Sequence, residues 1–347
     1  MERFDAFHLP GLLLPSDQPF RELAFGEGAS RVVARAPVLS PEQIRDLSLA
    51  VRAARERRLD RLPVLVIANL IARAINRWLD PYSPYLRDCE RLLPVVTGYP
   101  VEAIRKGLPA FLGGYREEHL RRLLDDEFGD PTVLDGFRPR LAASGLTRAF
   151  GPRLAAHIFA GNVPGLPAQS LTCTLLVKAA SIGKSASEEP CFPVLFARSL
   201  AEVDPELGAA LAVTWWPGGE RSVEEALFDE AEAIIAYGSE AAIESVRAVL
   251  PPGRRFIPYG HKISIGLIGR EALSRDVIDG TVAAAAYDTA KYDQQGCLSP
   301  HLFYLERGGE ISPEDFAERL AAELARVQGI IPRGRLNRDE ATAIAEL

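Results

Sequence analysis

Leu154-Ala155-Ala156-His157-Ile158-Phe159-Ala160-Gly161-Asn162-Val163-Pro164-Gly165 is the stretch that decides how this chain folds. An apolar run as long as a buried strand, Leu154–Ala160, breaks into a turn rich in glycine and proline. A helix-like segment, Pro167–Ala180, follows it. The same rhythm then repeats. Strands are expected at Ser181–Ser185, Leu211–Trp216 and Ala233–Tyr237, and shorter ones at Phe256–Pro258 and Ile263–Ile268. Helices between them are expected at Pro193–Glu202, Val223–Glu230 and Glu240–Leu250. Strand and helix alternating at short spacing specify parallel βαβ units, so this half of the chain reads as α/β, a doubly wound parallel sheet. Ser222-Val223-Glu224-Glu225 is expected to give one helix a reciprocal cap.

Upstream the pattern is different. Residues 1–36 hold short apolar pieces separated by Pro and Gly, a small strand-bearing lead-in. Ser40-Pro41-Glu42-Gln43 then reads as a helix start: Ser can cap, Pro suits the first helical position, and Gln43 can reach back. Helices are expected from there to about Arg58, over Leu62–Leu79, Pro84–Val96 and Pro100–Phe111, and over Glu117–Glu127. The first 149 residues are therefore a mainly helical region.

The composition is that of a globular protein: 347 residues, 47% hydrophobic and 25% charged, with net charge −7. The negative balance gives no electrostatic footprint for nucleic acid. No apolar run approaches the length of a membrane span, and Met1-Glu2-Arg3-Phe4-Asp5 lacks a signal-peptide core. The four cysteines, Cys89, Cys173, Cys191 and Cys297, have wide spacings that fit neither a disulfide framework nor a zinc site. A cytoplasmic setting without structural metal is expected.

In open α/β sheets ligands bind beyond the carboxyl ends of the strands. Three loops leave that edge with chemistry in them. Gly161-Asn162 follows the first strand; Asn162 is either a turn former or an amide donor to an oxyanion. Lys184 ends the second strand, as a solvent-facing lysine or a hold on ribose hydroxyls or phosphate. Gly238-Ser239 precedes a helix N-terminus, as a plain turn or as a phosphate cradle. Further on, Cys297 sits in the turn Gln294-Gln295-Gly296-Cys297-Leu298-Ser299-Pro300, between a helical run and the strand-like Leu302–Leu305. A thiol there is either an ordinary small side chain or a nucleophile that forms a thioester. His261 is loop-borne, for structure or for proton transfer.

Four segments in order resemble the aldehyde dehydrogenase superfamily and, within it, the bioluminescence-type (LuxC-like) fatty acyl-CoA reductases. They are Ala160–Gly165, Ile182–Pro190, Gly260–Ser264 and Gln294–Pro300, spread over about residues 150–305. The resemblance implies that Cys297 is the catalytic thiol and that Asn162 shares the oxyanion with the Cys297 N–H. It implies that Lys184 holds the adenosine ribose and that Gly238 and Ser239 touch the cofactor pyrophosphate. Many NAD-preferring relatives carry a glutamate where this chain has Ser187. Without that carboxylate a 2′-phosphate is not repelled, so NADPH is expected, with NADH as the alternative. Hydrolytic members carry a glutamate base where this chain has Pro258, so water is not activated against the acyl-enzyme there.

The expected reaction is therefore reduction of an acyl-CoA to the aldehyde. Another aldehyde-dehydrogenase-type oxidoreductase and a non-catalytic nucleotide-binding subunit are the rivals. The resemblance also suggests a homo-oligomer or association with acyl-transfer and synthetase subunits. The expected domains are 1–149, helical and packed onto the cofactor domain; 150–262, the dinucleotide-binding unit; and 263–347, the start of a thiol domain. That last domain is expected to be incomplete, because family members continue well beyond the cysteine. Asn337-Arg338-Asp339-Glu340 reads as a fresh helix start close to the last residue.

Overall fold

Parallel strands buried on both faces need helices above and below, and the N-terminal residues supply several of them. The computed structural model describes residues 1–140, 144–334 and 342. The lead-in forms a three-stranded sheet of β1 (Glu2–Asp5), β2 (Phe20–Phe25) and β3 (Val32–Pro37), with β3 in the middle. Helices α1 (Pro41–Arg57), α2 (Val64–Trp78), α3 (Pro84–Thr97), α4 (Val101–Leu112) and α5 (Glu117–Phe128) follow. The cap of α1 is the reciprocal one expected: Gln43 N donates to Ser40 Oγ at 3.2 Å, and Ser40 N donates to the Gln43 side chain at 2.9 Å. In α2 the residues Ile67, Ile71, Ile75 and Trp78 recur at helical spacing and are fully buried. A short hairpin, β4 (Arg138–Pro139) and β5 (Leu146–Thr147), leads into the α/β half.

That half runs β6 (Leu154–Ile158), α6 (Leu166–Leu176), β7 (Ala180–Lys184), α7 (Phe192–Val203), α8 (Pro205–Gly208), β8 (Leu211–Thr214), α9 (Arg221–Glu230), β9 (Ala233–Tyr237), α10 (Glu240–Arg247) and β10 (Arg255–Tyr259). The five strands are parallel, in the order β10-β9-β6-β7-β8. From β6 the chain winds outward through β7 and β8, then crosses back to lay β9 on the other side of β6. The winding therefore reverses between β6 and β9, and in sheets of this kind the crevice beyond the strand ends at such a reversal is where ligands bind. Every residue of β6, β7 and β8 is buried. One face packs on α1 and α9 through Ile44, Leu47, Val51 and Leu227. The opposite core joins α6 and α7 to α2 and α3 through Leu171, Phe192, Ile71 and Leu92.

The chain then forms β11 (Ser264–Ile268), α11 (Ile278–Ala290), β12 (Pro300–Leu305) and α12 (Pro313–Gln328). β11 and β12 pair in parallel. Ile268, Phe303 and Phe316 share their core with α11 and α12. On the other face Ile265 pairs with Leu302 and Leu267 with Tyr304, and all four side chains are exposed. Among the described residues no helix is long and apolar enough to cross a membrane.

Several sequence expectations need correcting. The helix expected over Pro167–Ala180 ends at Leu176 and leaves Ala180 to β7, and the strand expected over Leu211–Trp216 ends at Thr214. β6 stops at Ile158, two residues early, because the chain turns at Ala160 although its residues stay apolar. The cap at Ser222 does not form: α9 starts at Arg221 with Glu220 at its cap position, and the Glu225 side chain is taken by Arg221 Nε at 2.7 Å. The single-turn α8, capped by Asp204, was not foreseen. Asn337–Glu340 lies outside the described residues.

Candidate active site

The crevice is framed first by Gly161. A Cβ at this position would stand 2.9 Å from Glu188 Cβ and 3.2 Å from Glu189 N, so only glycine lets the loop after β6 lie against the loop after β7. Gly165, at φ 104°, then turns the chain into α6. Between them Asn162 is presented at the surface. Its Nδ2 donates to the Gln295 carbonyl at 2.7 Å, and its own carbonyl accepts from the Tyr99 hydroxyl at 2.7 Å. A carboxamide carries two N–H donors, so one remains for a ligand.

Gln295 belongs to the turn that carries Cys297. Tyr292, Asp293 and Gln294 have φ of 54°, 50° and 64°, three successive non-glycine residues in the left-handed region. At about 1–2 kcal/mol each, such a run costs on the order of 3–6 kcal/mol and persists only when its surroundings hold it. The turn is held at several points. Ser299 Oγ donates to the Lys291 carbonyl at 3.1 Å, Gln294 Nε2 to the Pro300 carbonyl at 3.2 Å, and Ser299 N to the Gly296 carbonyl at 2.9 Å. The Asp293 carboxylate accepts from Gly334 N at 3.2 Å and faces Arg333 Nε at 3.4 Å. From the start of β11, Ser264 Oγ donates to the Cys297 carbonyl at 2.5 Å. Cys297 itself is exposed.

On the other side of the crevice Lys184 ends β7, 8% exposed, with its Nζ 6.0 Å from the Trp216 ring centre. Burial lowers its pKa, and Glu224 and Glu188 pull the other way. Ser187 Oγ accepts from Trp215 Nε1 at 3.1 Å. Ser185 Oγ, Thr214 Oγ1 and Trp216 Nε1 are buried and have no partner among the described residues. Buried polar groups without partners are rare in native proteins, and these three lie on the ends of β7 and β8 or just beyond them. Gly238 N donates to the Tyr259 carbonyl at 3.2 Å, and Ser239 Oγ caps α10 by accepting from Ala242 N at 3.3 Å. The serine proton and the free N–H groups of the first turn stay available to an anion.

The structure thus brings the Asn162 loop against the Cys297 turn. Lys184 ends β7 and Ser187 follows it, and Gly238 and Ser239 follow β9, at the same sheet edge. His261 is exposed in the connection from β10 to β11, and Ser264 at the start of β11, not His261, makes the contact to the cysteine turn. Several residues escaped the sequence reading. Tyr237 stacks on Tyr259 with ring centres 4.7 Å apart and 7° between planes, and burial pushes its pKa up to about 12. Their places as the last residues of adjacent strands were the available signal. Beneath the crevice His157 holds Ser170 Oγ at 2.8 Å and Ser181 Oγ at 3.2 Å, and burial pushes its pKa down to about 3. The buried Glu189 accepts from Cys191 N at 2.8 Å and Phe192 N at 2.7 Å, and burial pushes it up to about 7.

Known proteins resemble the chain in both sequence and fold. It is 29% identical over 289 residues to the long-chain acyl-protein thioester reductase of Photorhabdus laumondii, covering 80% of this chain and 57% of that protein. It is 26% identical over 342 residues to the enzyme of the same name from Photorhabdus luminescens, covering 94% and 65%. The chain thus spans 57–65% of the length of these relatives. Among solved structures, the NAD-dependent benzaldehyde dehydrogenase of Corynebacterium glutamicum superposes with a TM-score of 0.74 at 16% identity, over 99% of this chain and 73% of that one. The fold is that of the aldehyde dehydrogenases. The profile of the acyl-CoA reductase (LuxC) family matches residues 59–346, well over half of the sequence, and the chain belongs to that family.

Proposed function

We propose that this chain reduces a fatty acyl thioester to the aldehyde with NADPH, through an acyl-enzyme on Cys297. The observation that carries this reading is the 2.7 Å bond from Asn162 to the Gln295 carbonyl, which ties the candidate oxyanion donor to the turn bearing the thiol. In the first step the Cys297 sulfur attacks the thioester carbonyl. The oxyanion meets the free Asn162 N–H and the Cys297 backbone N–H. The donor thiolate leaves and takes up the proton that Cys297 gave up; His261, on its exposed loop, is the candidate to pass it. NADPH, held by the residues named below, would supply the hydride that the acyl carbon of the acyl-enzyme accepts. In the second step the same two donors hold the oxyanion, the bond to Cys297 breaks, the aldehyde leaves, and the Cys297 sulfur takes a proton from solvent to regenerate the thiol. Pro258, exposed on the edge strand β10, offers no base that would divert the acyl group to water.

In this reading Lys184, with the Trp216 ring beside it, holds the adenosine ribose. Ser187 leaves room for a 2′-phosphate, which favours NADPH over NADH. Gly238 and Ser239 take the pyrophosphate at the α10 N-terminus. Residues 150–262 hold the cofactor, with the helices of the N-terminal region packed on them, and the region from residue 263 carries the thiol. The names of the relatives widen the acyl donor from acyl-CoA to a long-chain acyl group held as a thioester on a protein. Both donors present the same carbonyl and a thiol leaving group.

The test is turnover of a long-chain acyl-CoA with NADPH or NADH, following both aldehyde and nicotinamide absorbance. Aldehyde formed by the chain and lost in Cys297→Ala supports the reading. Aldehyde formed equally by the variant overturns it.

A further inference from the structure

We propose that Tyr99 is a positioning residue for acyl transfer, its phenol clamping the Asn162 loop to the Cys297 turn. The inference rests on the reading just given. Tyr99 lies in the connection between α3 and α4, on the helical half of the chain, and no motif marks it. Gly98, left-handed at φ 77°, ends α3 just before it. The Thr97 hydroxyl accepts from Tyr99 N at 3.2 Å, so the backbone at Tyr99 is fixed from its own side. The side chain is 5% exposed and reaches across to two loops that are 130 residues apart in sequence. Its hydroxyl donates to the Asn162 carbonyl at 2.7 Å, with the Tyr292 carbonyl at 3.2 Å as the longer arm of a shared bond. Its ring meets the Tyr292 ring edge-on, with centres 6.5 Å apart.

The two acceptors are informative. One is the backbone of the candidate oxyanion donor. The other is the first residue of the left-handed run that sets up the Cys297 turn. Asn162 Nδ2 closes the figure by donating to the Gln295 carbonyl. The thiol turn and the oxyanion loop are thus linked twice, once by a carboxamide that substrate must share and once by a phenol that substrate need not touch. Burial raises the phenol's pKa, and Asp293 and Tyr292 add to the rise, so Tyr99 stays a donor through the working pH range. A residue that only filled space would need the ring and not the hydroxyl.

Tyr99→Phe keeps the ring and removes both arms. Cys297 acylation by a long-chain acyl-CoA is followed by rapid-quench intact mass, alongside the KM for acyl-CoA, NADPH affinity and the rate of Cys297 alkylation by iodoacetamide. A displacement of under an ångström at a reacting centre is expected to slow acylation by about tenfold to hundredfold. KM, NADPH affinity and alkylation, which needs no oxyanion donor, are expected to stay within twofold. Because Tyr99 acts through Asn162, adding Tyr99→Phe to Asn162→Ala is expected to cost less than threefold further. Acylation of Tyr99→Phe within twofold of wild type overturns the role, as do losses that multiply fully in the double variant. Alkylation slowed as much as acylation also overturns it, by assigning the loss to the thiol itself. A folded wild-type chain that takes no acyl group overturns the proposed function and this role with it. Acylation in wild type with no effect of Tyr99→Phe overturns this role alone.

Discussion

Two buried groups beneath the crevice should pull stability in opposite directions with pH. His157 is fully buried and neutral between Ser170 and Ser181, its pKa pushed from the ordinary 6.5 down to about 3. Glu189 is fully buried at the start of α7, its pKa pushed from 4.5 up to about 7. For the imidazole the unfolded chain holds more protons, so its contribution to stability grows as pH rises from about 3 to 6.5. For the carboxyl the folded chain holds more protons, so stability is lost as pH rises from about 4.5 to 7. Each slope is about 1.4 kcal/mol per pH unit, so the two nearly cancel between about pH 4.5 and 6.5. Glu189→Gln keeps an oxygen for the Cys191 and Phe192 N–H groups and removes one of the two titrations. Over that window the variant should gain about 3 kcal/mol relative to wild type. His157→Gln should lose a comparable amount relative to wild type over the same window. Urea unfolding followed by tryptophan fluorescence at half-unit pH steps measures both differences. Differences that stay constant with pH would refute the reasoning, because they would mean that neither group changes its proton affinity on folding.

Ser187→Glu would place a carboxylate where Ser187 now meets Trp215 Nε1. Facing a phosphate at about 5 Å, it costs on the order of 3 kcal/mol per charge, so NADPH affinity should fall about a hundredfold and NADH affinity far less. Fluorescence titration with the two cofactors separates these outcomes, and equal losses would show that the site does not read the 2′-phosphate. Asp135→Ala removes the partner of Lys178, whose ammonium lies 2.7 Å from that carboxylate with only 7% of its side chain exposed. Stranding a buried ammonium should lower stability by about 3–5 kcal/mol, read as a shift in the urea midpoint.

Where the signal was local, the fold was legible in the residues. Ser40 and Gln43 announce α1 because a capping box is written within four positions. β9 spans Ala233–Tyr237 as read, a continuous apolar run that Gly238 cuts off sharply. The same kind of reading failed at Ser222, where Arg221, the residue before it, takes the glutamate that the cap needed. Lys184 shows a different limit. As a residue type it belongs at the surface, and only the assembled sheet, with Trp216 beside it, buries it. The edge at which Asn162, Lys184 and Gly238 gather follows from strand alternation and the carboxyl-end rule. The link expected between Asn162 and Cys297 came from an ordered set of resembling segments, since nothing in residues 154–165 points to residues 294–300. Tyr99 was beyond both routes. It is separated from Asn162 by 63 positions and from Tyr292 by 193, and a lone buried tyrosine after Gly98 reads as core.

The central claim is that Cys297 accepts the acyl group, and weighing the intact chain after incubation with a long-chain acyl-CoA, without reductant, tests it most directly. The account predicts a mass gain equal to one acyl group, located on the peptide that carries Cys297 and absent from Cys297→Ala. A folded, NADPH-binding chain that gains no mass, or that carries the acyl group on the other exposed cysteine, Cys173, would contradict it.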